Sequence, residues 1–335
     1  MNSRALLVCA FLGLGLFGAH RAVEAAAGAS PAVIAQQIMA LRDGNPPPDP
    51  GSFPAHPNGW ISGLDCANDP TFQVHEYNPD TYIIRQSKCS TGEGPFMYLL
   101  FGEDKALLMD TGSNPNDDVY GTVTGVIRQW LERNERESIP LIVAHTHSHG
   151  DHTAGDQQFV GRANVERLVG WTIQEVVEYW GFEDFPNDDQ VLDLGGRVID
   201  VLGTPGHQPV SLTLYDQNTH LLITADIVYP GHLFVFSPGE WFDFIASLQR
   251  LVNFAQQHPV EWVMGCHIEY SNTPGQPYPW ALTAAPDEAP LEMLPSVLSD
   301  VLAAAQGQGA NPACEIFPQF VIHPVYLCGI TWNGP

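Results

Sequence analysis

Residues 146–152 read Thr146-His147-Ser148-His149-Gly150-Asp151-His152, a run that packs four potential metal ligands into six consecutive positions. Two residues apart on an extended or tightly turned backbone, His147 and His149 point to the same side, so both imidazoles can reach one ion. Asp151 and His152 follow a turn at Gly150 and can address a second ion a few ångströms away. Taken alone, the segment also fits a His-rich surface loop, since His145 precedes it. Three further candidates weigh against that: His207 on a Thr204-Pro205-Gly206 turn, Asp226 closing an apolar run at 221–225, and His267 closing another at 260–266. Any one of these fits a purely structural role; all seven in order do not. Imidazole and carboxylate ligands without thiolate suit zinc and also accept iron or manganese. Cys266 alternates to the side opposite His267 on a continuing strand and reads as a buried thiol.

The elements that must position these groups are strands. Leu141-Ile142-Val143-Ala144 is an apolar, β-prone stretch that would deliver the His/Asp run at its C-terminal end. A strand-end loop is where an open α/β sheet puts its chemistry. The stretches before His207, Asp226 and His267 end in the same fashion.

The ordered set His147, His149, Asp151, His152, His207, Asp226 and His267 resembles the metallo-β-lactamase superfamily over roughly residues 70–290. The resemblance implies an α/β fold, a four-layer αβ/βα sandwich of two mixed β-sheets with outer helices. It implies that His147, His149 and His207 hold a first metal and that Asp151, His152 and His267 hold a second, with Asp226 bridging. Two zinc ions per chain are the expected cofactor. Asp110, in Met109-Asp110-Thr111-Gly112, looks like the family's strand-end turn in which the Asp braces the metal loop without binding metal.

The chemistry expected of such a pair is hydrolysis. A hydroxide between two cations about 3.5–4 Å apart is a nucleophile near neutral pH, because metal binding pulls the water pKa from 15.7 toward about 7. Asp151, ligating through one oxygen, keeps the other to orient the nucleophile and shuttle its proton. Tyr229, three residues after Asp226, is a candidate oxyanion donor, as in some lactone-cleaving relatives, or a packing ring. The preferred reading is a hydrolase of small-molecule esters, lactones or thioesters, with a glyoxalase II-like ligand set but no basic cluster for glutathione carboxylates. The alternatives are a β-lactamase, a mono-iron persulfide dioxygenase-like enzyme, and a binding module that keeps metal without turnover. Phe234, Phe236, Trp241, Phe242 and Phe244 are candidates either for an apolar pocket or for ordinary core, and Trp280 for a lip over the site.

Composition agrees with this reading. At 335 residues and 44% hydrophobic content the chain can bury a large single core. A formal charge of −25 argues against a nucleic-acid partner and against anionic lipid. Arg4 before the apolar run at 5–19, then Val23-Glu24-Ala25, predict a signal peptide over 1–25 and a secreted or periplasmic protein with no stable membrane association after cleavage. A Pro/Gly-rich linker and extension over 26–65, a catalytic domain over 66–290 and a C-terminal helix with tail over 291–335 are expected. The helix is placed at 290–305 and the residues from 311 as irregular. Five cysteines remain after cleavage; Cys314–Cys328 is the favoured disulfide, Cys66–Cys89 the next, and Cys266 stays free.

Overall fold

The computed structural model describes residues 59–331 and Gly334; the expected signal peptide and the Pro-rich stretch at 44–51 lie outside the described residues. The first sheet follows chain order through β1 (Phe72–Asn78), β2 (Thr81–Gln86), β3 (Phe96–Phe101), β4 (Ala106–Met109), β5 (Leu141–Ala144) and β6 (Val165–Leu168). Its first four strands are antiparallel, whereas β4, β5 and β6 run parallel. Helix α1 (Val119–Arg133) makes the crossover that the parallel β4–β5 pair requires, the single turn α2 (Gly150–Thr153) follows β5, and α3 (Ile173–Trp180) follows β6.

The second sheet draws on β7 (Asp189–Asp193), β8 (Val198–Gly203), β9 (Leu212–Asp216) and β10 (Leu221–Ala225). After β11 (His232–Val235) and helix α4 (Pro238–Gln257), it is completed by β12 (Trp262–Gly265) and β13 (Glu292–Met293). Strand β12 pairs parallel with β10, and the other neighbours are antiparallel.

Strand alternation assigns the layers. On β3, Met97, Leu99 and Phe101 pack with Val123 and Trp130 of α1, so Phe96, Tyr98 and Leu100 point the other way. On the second sheet, Leu202, Tyr215, Leu222 and Val263 pack with Trp241, Phe244 and Leu248 of α4. The opposite faces meet: the Tyr98 hydroxyl donates to the Gly265 carbonyl at 2.5 Å, and the Phe96 amide donates to the Cys266 carbonyl at 2.8 Å. Two mixed sheets face to face with helices outside match the expected sandwich. Both faces being covered explains why β3, β5 and β10 read as unbroken apolar runs.

The C-terminal stretch is part of the same fold, unlike the tail expected from residue 291. Its helix, α5, spans Ser296–Gln308, and residues 292–293 instead pair with the free side of β12, where Leu291 and Met293 are buried. The supposedly irregular region contains β14 (Glu315–Ile316), β15 (Val321–Pro324) and the short helix α6 (Val325–Cys328). Strand β15 pairs parallel with β11 and antiparallel with β14, making a third sheet. The disulfides are Cys66–Cys89 and Cys314–Cys328, and Cys266 is free and buried, as expected.

One buried arginine, paired within the second sheet, ties the two large sheets together. Arg197, just before β8, reaches Asp216 Oδ1 at 3.1 Å and Oδ2 at 2.5 Å, Thr81 Oγ1 at 2.7 Å and the Phe101 carbonyl at 3.2 Å. Both charged partners are almost fully buried. Removing one partner of such a pair strands the other, which costs about 3–5 kcal/mol. Arg197→Ala is expected to lower the unfolding free energy by that amount, read as a lower urea midpoint; an unchanged midpoint would show that the pair is not structural.

Candidate metal centre

Five strand ends converge on one edge of the sandwich. Asp110 ends β4 with a positive φ of 70°, which turns its carboxylate back under the loop after β5. Its Oδ1 accepts the Thr146 amide at 2.7 Å, while Oδ2 accepts the Thr146 hydroxyl at 2.8 Å and His152 Nδ1–H at 2.9 Å. The bracing role expected of Asp110 is therefore visible as three hydrogen bonds. His207 follows Gly206, whose φ of 137° and close approach to the Phe244 backbone leave no room for a Cβ. At the end of β10 a register shift and a positive φ of 51° at Ala225 swing Asp226 inward. Gly265 of β12 allows this, because a Cβ there would meet Ala225 O at 2.6 Å.

The seven expected ligands gather into two adjoining groups. In the first, His149 Nδ1 lies 3.0 Å from His147 Nε2 and 2.9 Å from His207 Nε2. In the second, Asp151 Oδ2 lies 3.3 Å from His152 Nε2 and 3.2 Å from His267 Nε2, which are 3.3 Å from each other. Asp226 Oδ2 stands between them, 3.8 Å and 3.6 Å from the Nε2 atoms of His147 and His207 and 3.6 Å and 3.4 Å from those of His152 and His267. Donors about 2.0–2.1 Å from a tetrahedral ion stand roughly 3.3 Å apart, so these spacings are those of ligand edges.

The outer hydrogen bonds decide which ring nitrogens carry lone pairs inward. His207 Nδ1–H donates to the Phe234 carbonyl at 3.0 Å, His267 Nδ1–H to the Glu93 carbonyl at 3.2 Å, and His152 Nδ1–H to Asp110. His147 Nδ1 meets the Thr146 hydroxyl, itself donating to Asp110, at 3.1 Å. In the neutral rings each of these four Nε2 atoms is then an acceptor aimed at other acceptors, and Asp226 Oδ1 is buried with no hydrogen-bond partner. Such an arrangement is repulsive by itself and fits divalent cations, with the outer partners fixing ring orientation.

Electrostatics agree. Burial holds His147 well below the usual histidine range and His207 down to about 4, so both rings are neutral. Burial opposes charge on His152 and His267 too, but the surrounding carboxylates of Asp151 and Asp226 outweigh it and hold both well above the usual range. Burial likewise resists charge on Asp151, yet His152 and His267 keep its carboxyl well below the usual carboxylate range. Cys266 takes no part; burial pushes its thiol up, and it donates weakly to Asp110 Oδ2.

A family model described as the metallo-beta-lactamase superfamily matches residues 90–257, a span containing Asp110 and every candidate ligand except His267. The chain belongs to this superfamily and is a metal-dependent hydrolase. Acyl-coenzyme A thioesterase MBLAC2 of Bos taurus is 27% identical over 216 residues, covering 56% of this chain and 77% of that one. Hydroxyacylglutathione hydrolase of a Chelativorans strain is 26% identical over 156 residues, covering 46% of this chain and 56% of that one. Among solved structures, a metallo-beta-lactamase from Pontibacter korlensis aligns with a TM-score of 0.47 at 16% identity, over 71% of this chain and 100% of that one.

Like the ligands, the hydrolase's cavity combines expected and unforeseen residues. It holds about 280 Å³ and is walled by Phe234, Phe236, Trp280 and Ile330 over the His/Asp groups. Trp241 and Phe244 are core instead, and Phe242 is exposed. Tyr229 contributes its ring, but its hydroxyl donates to the His232 carbonyl and faces Glu269 Oε2 at 3.1 Å. With its one proton committed, Tyr229 does not match the expected oxyanion donor. Glu93, Glu269 and Ile330 were not foreseen: Glu93 sits in a Thr-Gly-Glu-Gly turn without a motif, and Glu269 differs from an ordinary residue only by following His267 at two positions.

Asp110→Asn is expected to weaken metal binding about 10–100-fold, measured by chelator competition, while the circular dichroism of the fold persists. Unchanged affinity would show that the three hydrogen bonds do not tune the ligands.

Proposed function

We propose that the protein is an exported hydrolase that uses two zinc ions to cleave a thioester, ester or lactone carbonyl. The observation that carries the reading is the Asp226 carboxylate, with Oδ2 within 3.4–3.8 Å of four histidine nitrogens from both groups and Oδ1 without a partner. His147, His149 and His207 would hold one ion and Asp151, His152 and His267 the other, an all-nitrogen and oxygen set that suits zinc. Seven converging ligands exceed what a single iron centre needs. The curated relatives named as an acyl-coenzyme A thioesterase and a hydroxyacylglutathione hydrolase favour an acyl transfer to water over β-lactam opening. Export draws support from the two disulfides, which persist in oxidising compartments.

The ions, when bound, lower the pKa of a water toward about 7 and polarise the substrate carbonyl. The chain's own groups do the rest. Asp151 commits Oδ2 to the His152–His267 side, and Oδ1 has no partner among the described residues, so it is placed to orient a water and accept its proton. Glu93 is pushed up to about 7, chiefly by burial. The aromatic wall excludes bulk water from the acyl group.

Treating the purified protein with chelator is expected to abolish turnover of a thioester panel, and zinc to restore it. Asp151→Ala should lower kcat by about 10²–10⁴-fold, whereas Tyr229→Phe should stay within about threefold. Hydrolysis of nitrocefin but of no thioester, ester or lactone would replace this reading with the β-lactamase one; bound metal with no turnover at all would leave a binding module.

A further inference from the structure

Two carboxylates in the cavity each keep an oxygen that neither the fold nor the ligand groups use. Glu269 is 4% exposed, and its Oε2 accepts the His232 amide at 3.0 Å and stands 3.1 Å from the Tyr229 hydroxyl. Its Oε1 has no hydrogen-bond partner among the described residues, although the residue lines the cavity. Glu93 also lines the cavity, and its backbone carbonyl accepts from His267 while its carboxylate has no hydrogen bond among the described residues. These oxygens open onto the cavity, so whatever enters it meets them.

What would meet them follows from the rest of the lining. Among the described residues no lysine or arginine lines the cavity. Arg85 is spent on Glu288, which it grips at 2.5 and 2.7 Å, and Lys88 is spent on the Gly92 and Leu282 carbonyls. The same cavity is lined by the rings of Phe234, Phe236 and Trp280. The carboxylates of Glu93, Asp151, Asp226 and Glu269 offset much of the charge that two divalent ions would bring, and the lining itself adds no basic side chain. Aromatic faces beside carboxylates bind alkylammonium groups, because the ring quadrupole and the anion act in the same direction and the methyl groups desolvate cheaply.

We propose that the site selects substrates carrying an organic cation, of the alkylammonium or quaternary ammonium class, held by Glu269, Glu93 and the aromatic wall. The inference rests on the hydrolase reading for its kinetic arm alone. A substrate of this class needs no basic residue to receive it, in keeping with a cavity that offers none.

The test uses the zinc-loaded full chain and three acetyl thioesters of matched size: acetylthiocholine, S-acetyl-3,3-dimethylbutanethiol, which replaces the ammonium by a neutral tert-butyl group, and S-acetyl-3-mercaptopropionate. The expected order of kcat/KM is cation, neutral, anion, with about tenfold between the first two. Glu269→Gln, which keeps an acceptor for the His232 amide, and Glu93→Gln should each shrink the cation-to-neutral ratio. In parallel, choline and 3,3-dimethylbutanol are titrated calorimetrically. Tighter binding of choline, weakened in Glu269→Gln, upholds the inference even if no thioester is turned over, in which case only the hydrolase reading falls. A ratio near one for the unmodified protein in both kinetics and binding overturns it. So does an equal loss on all three thioesters in the two variants, which would assign the carboxylates to the metal centre.

Discussion

At the end of β4 a fully buried carboxylate accepts three hydrogen bonds, and the geometry of the centre descends from them. Asp110 holds the amide and hydroxyl of Thr146 and the Nδ1–H of His152, so the backbone between His147 and His152 has one course to follow. The parallel pairing of β4 with β5 puts the Asp and the loop at the same level of the sheet, with Met109 opposite Ala144. The second sheet brings His207, Asp226 and His267 to the same edge, and the Tyr98–Gly265 and Arg197–Thr81 contacts hold the sheets in the register that makes the two halves meet. A catalytic site spread over five strand ends needs the whole sandwich to be rigid; the buried polar ties between its sheets provide that rigidity.

The same centre burdens the fold that builds it. Neutral His147 and His207, protonation-prone His152 and His267, and the buried Asp226 crowd donor atoms within about 3–4 Å, where acceptor faces acceptor. Without cations the carboxylates draw protons onto His152 and His267. Divalent ions replace those protons and repay the desolvation of the carboxylates, so metal binding and folding stability are linked. Four of the five ligand histidines already have their outward Nδ1 tied to a carbonyl, a hydroxyl or Asp110. The tautomers are set by the protein before any ion arrives, which lowers the ordering cost of binding.

The ligand set was legible in the sequence because metal chemistry demands particular residue types at particular spacings, and each type stood at the end of an apolar run. The layered sheets were legible for a related reason: β3, β5 and β10 are covered on both faces and read as continuous hydrophobic stretches. The C-terminal structure was not. Strands β13, β14 and β15 are two to four residues long, flanked by prolines, and gain their stability from β12 and β11, which lie far away in sequence. The distance of Tyr229 from Asp226 along the chain says nothing about its hydroxyl, which the turn to His232 captures. Glu93 and Glu269 carried no pattern; only the assembled cavity shows that their oxygens lack partners.

The late strands also explain why the C-terminal stretch belongs to the functional unit. Strand β15 pairs with β11 from His232 to Val235, and the Phe234 carbonyl on that strand accepts from His207. His232 and His323, one on each strand, meet through their Nδ1 atoms at 3.0 Å, while their Nε2 atoms face the carbonyls of Tyr278 and Gly329. The carbonyl that fixes a metal-facing histidine is thus carried by a strand whose other edge is supplied by residues near the end of the chain. Beyond β15, α6 leads to Ile330 in the cavity wall, and the Cys314–Cys328 disulfide closes the loop that contains β15. The C-terminal segment therefore acts twice on one site: through β11 it holds His207 in orientation, and through Ile330 it narrows the cavity over the His/Asp groups.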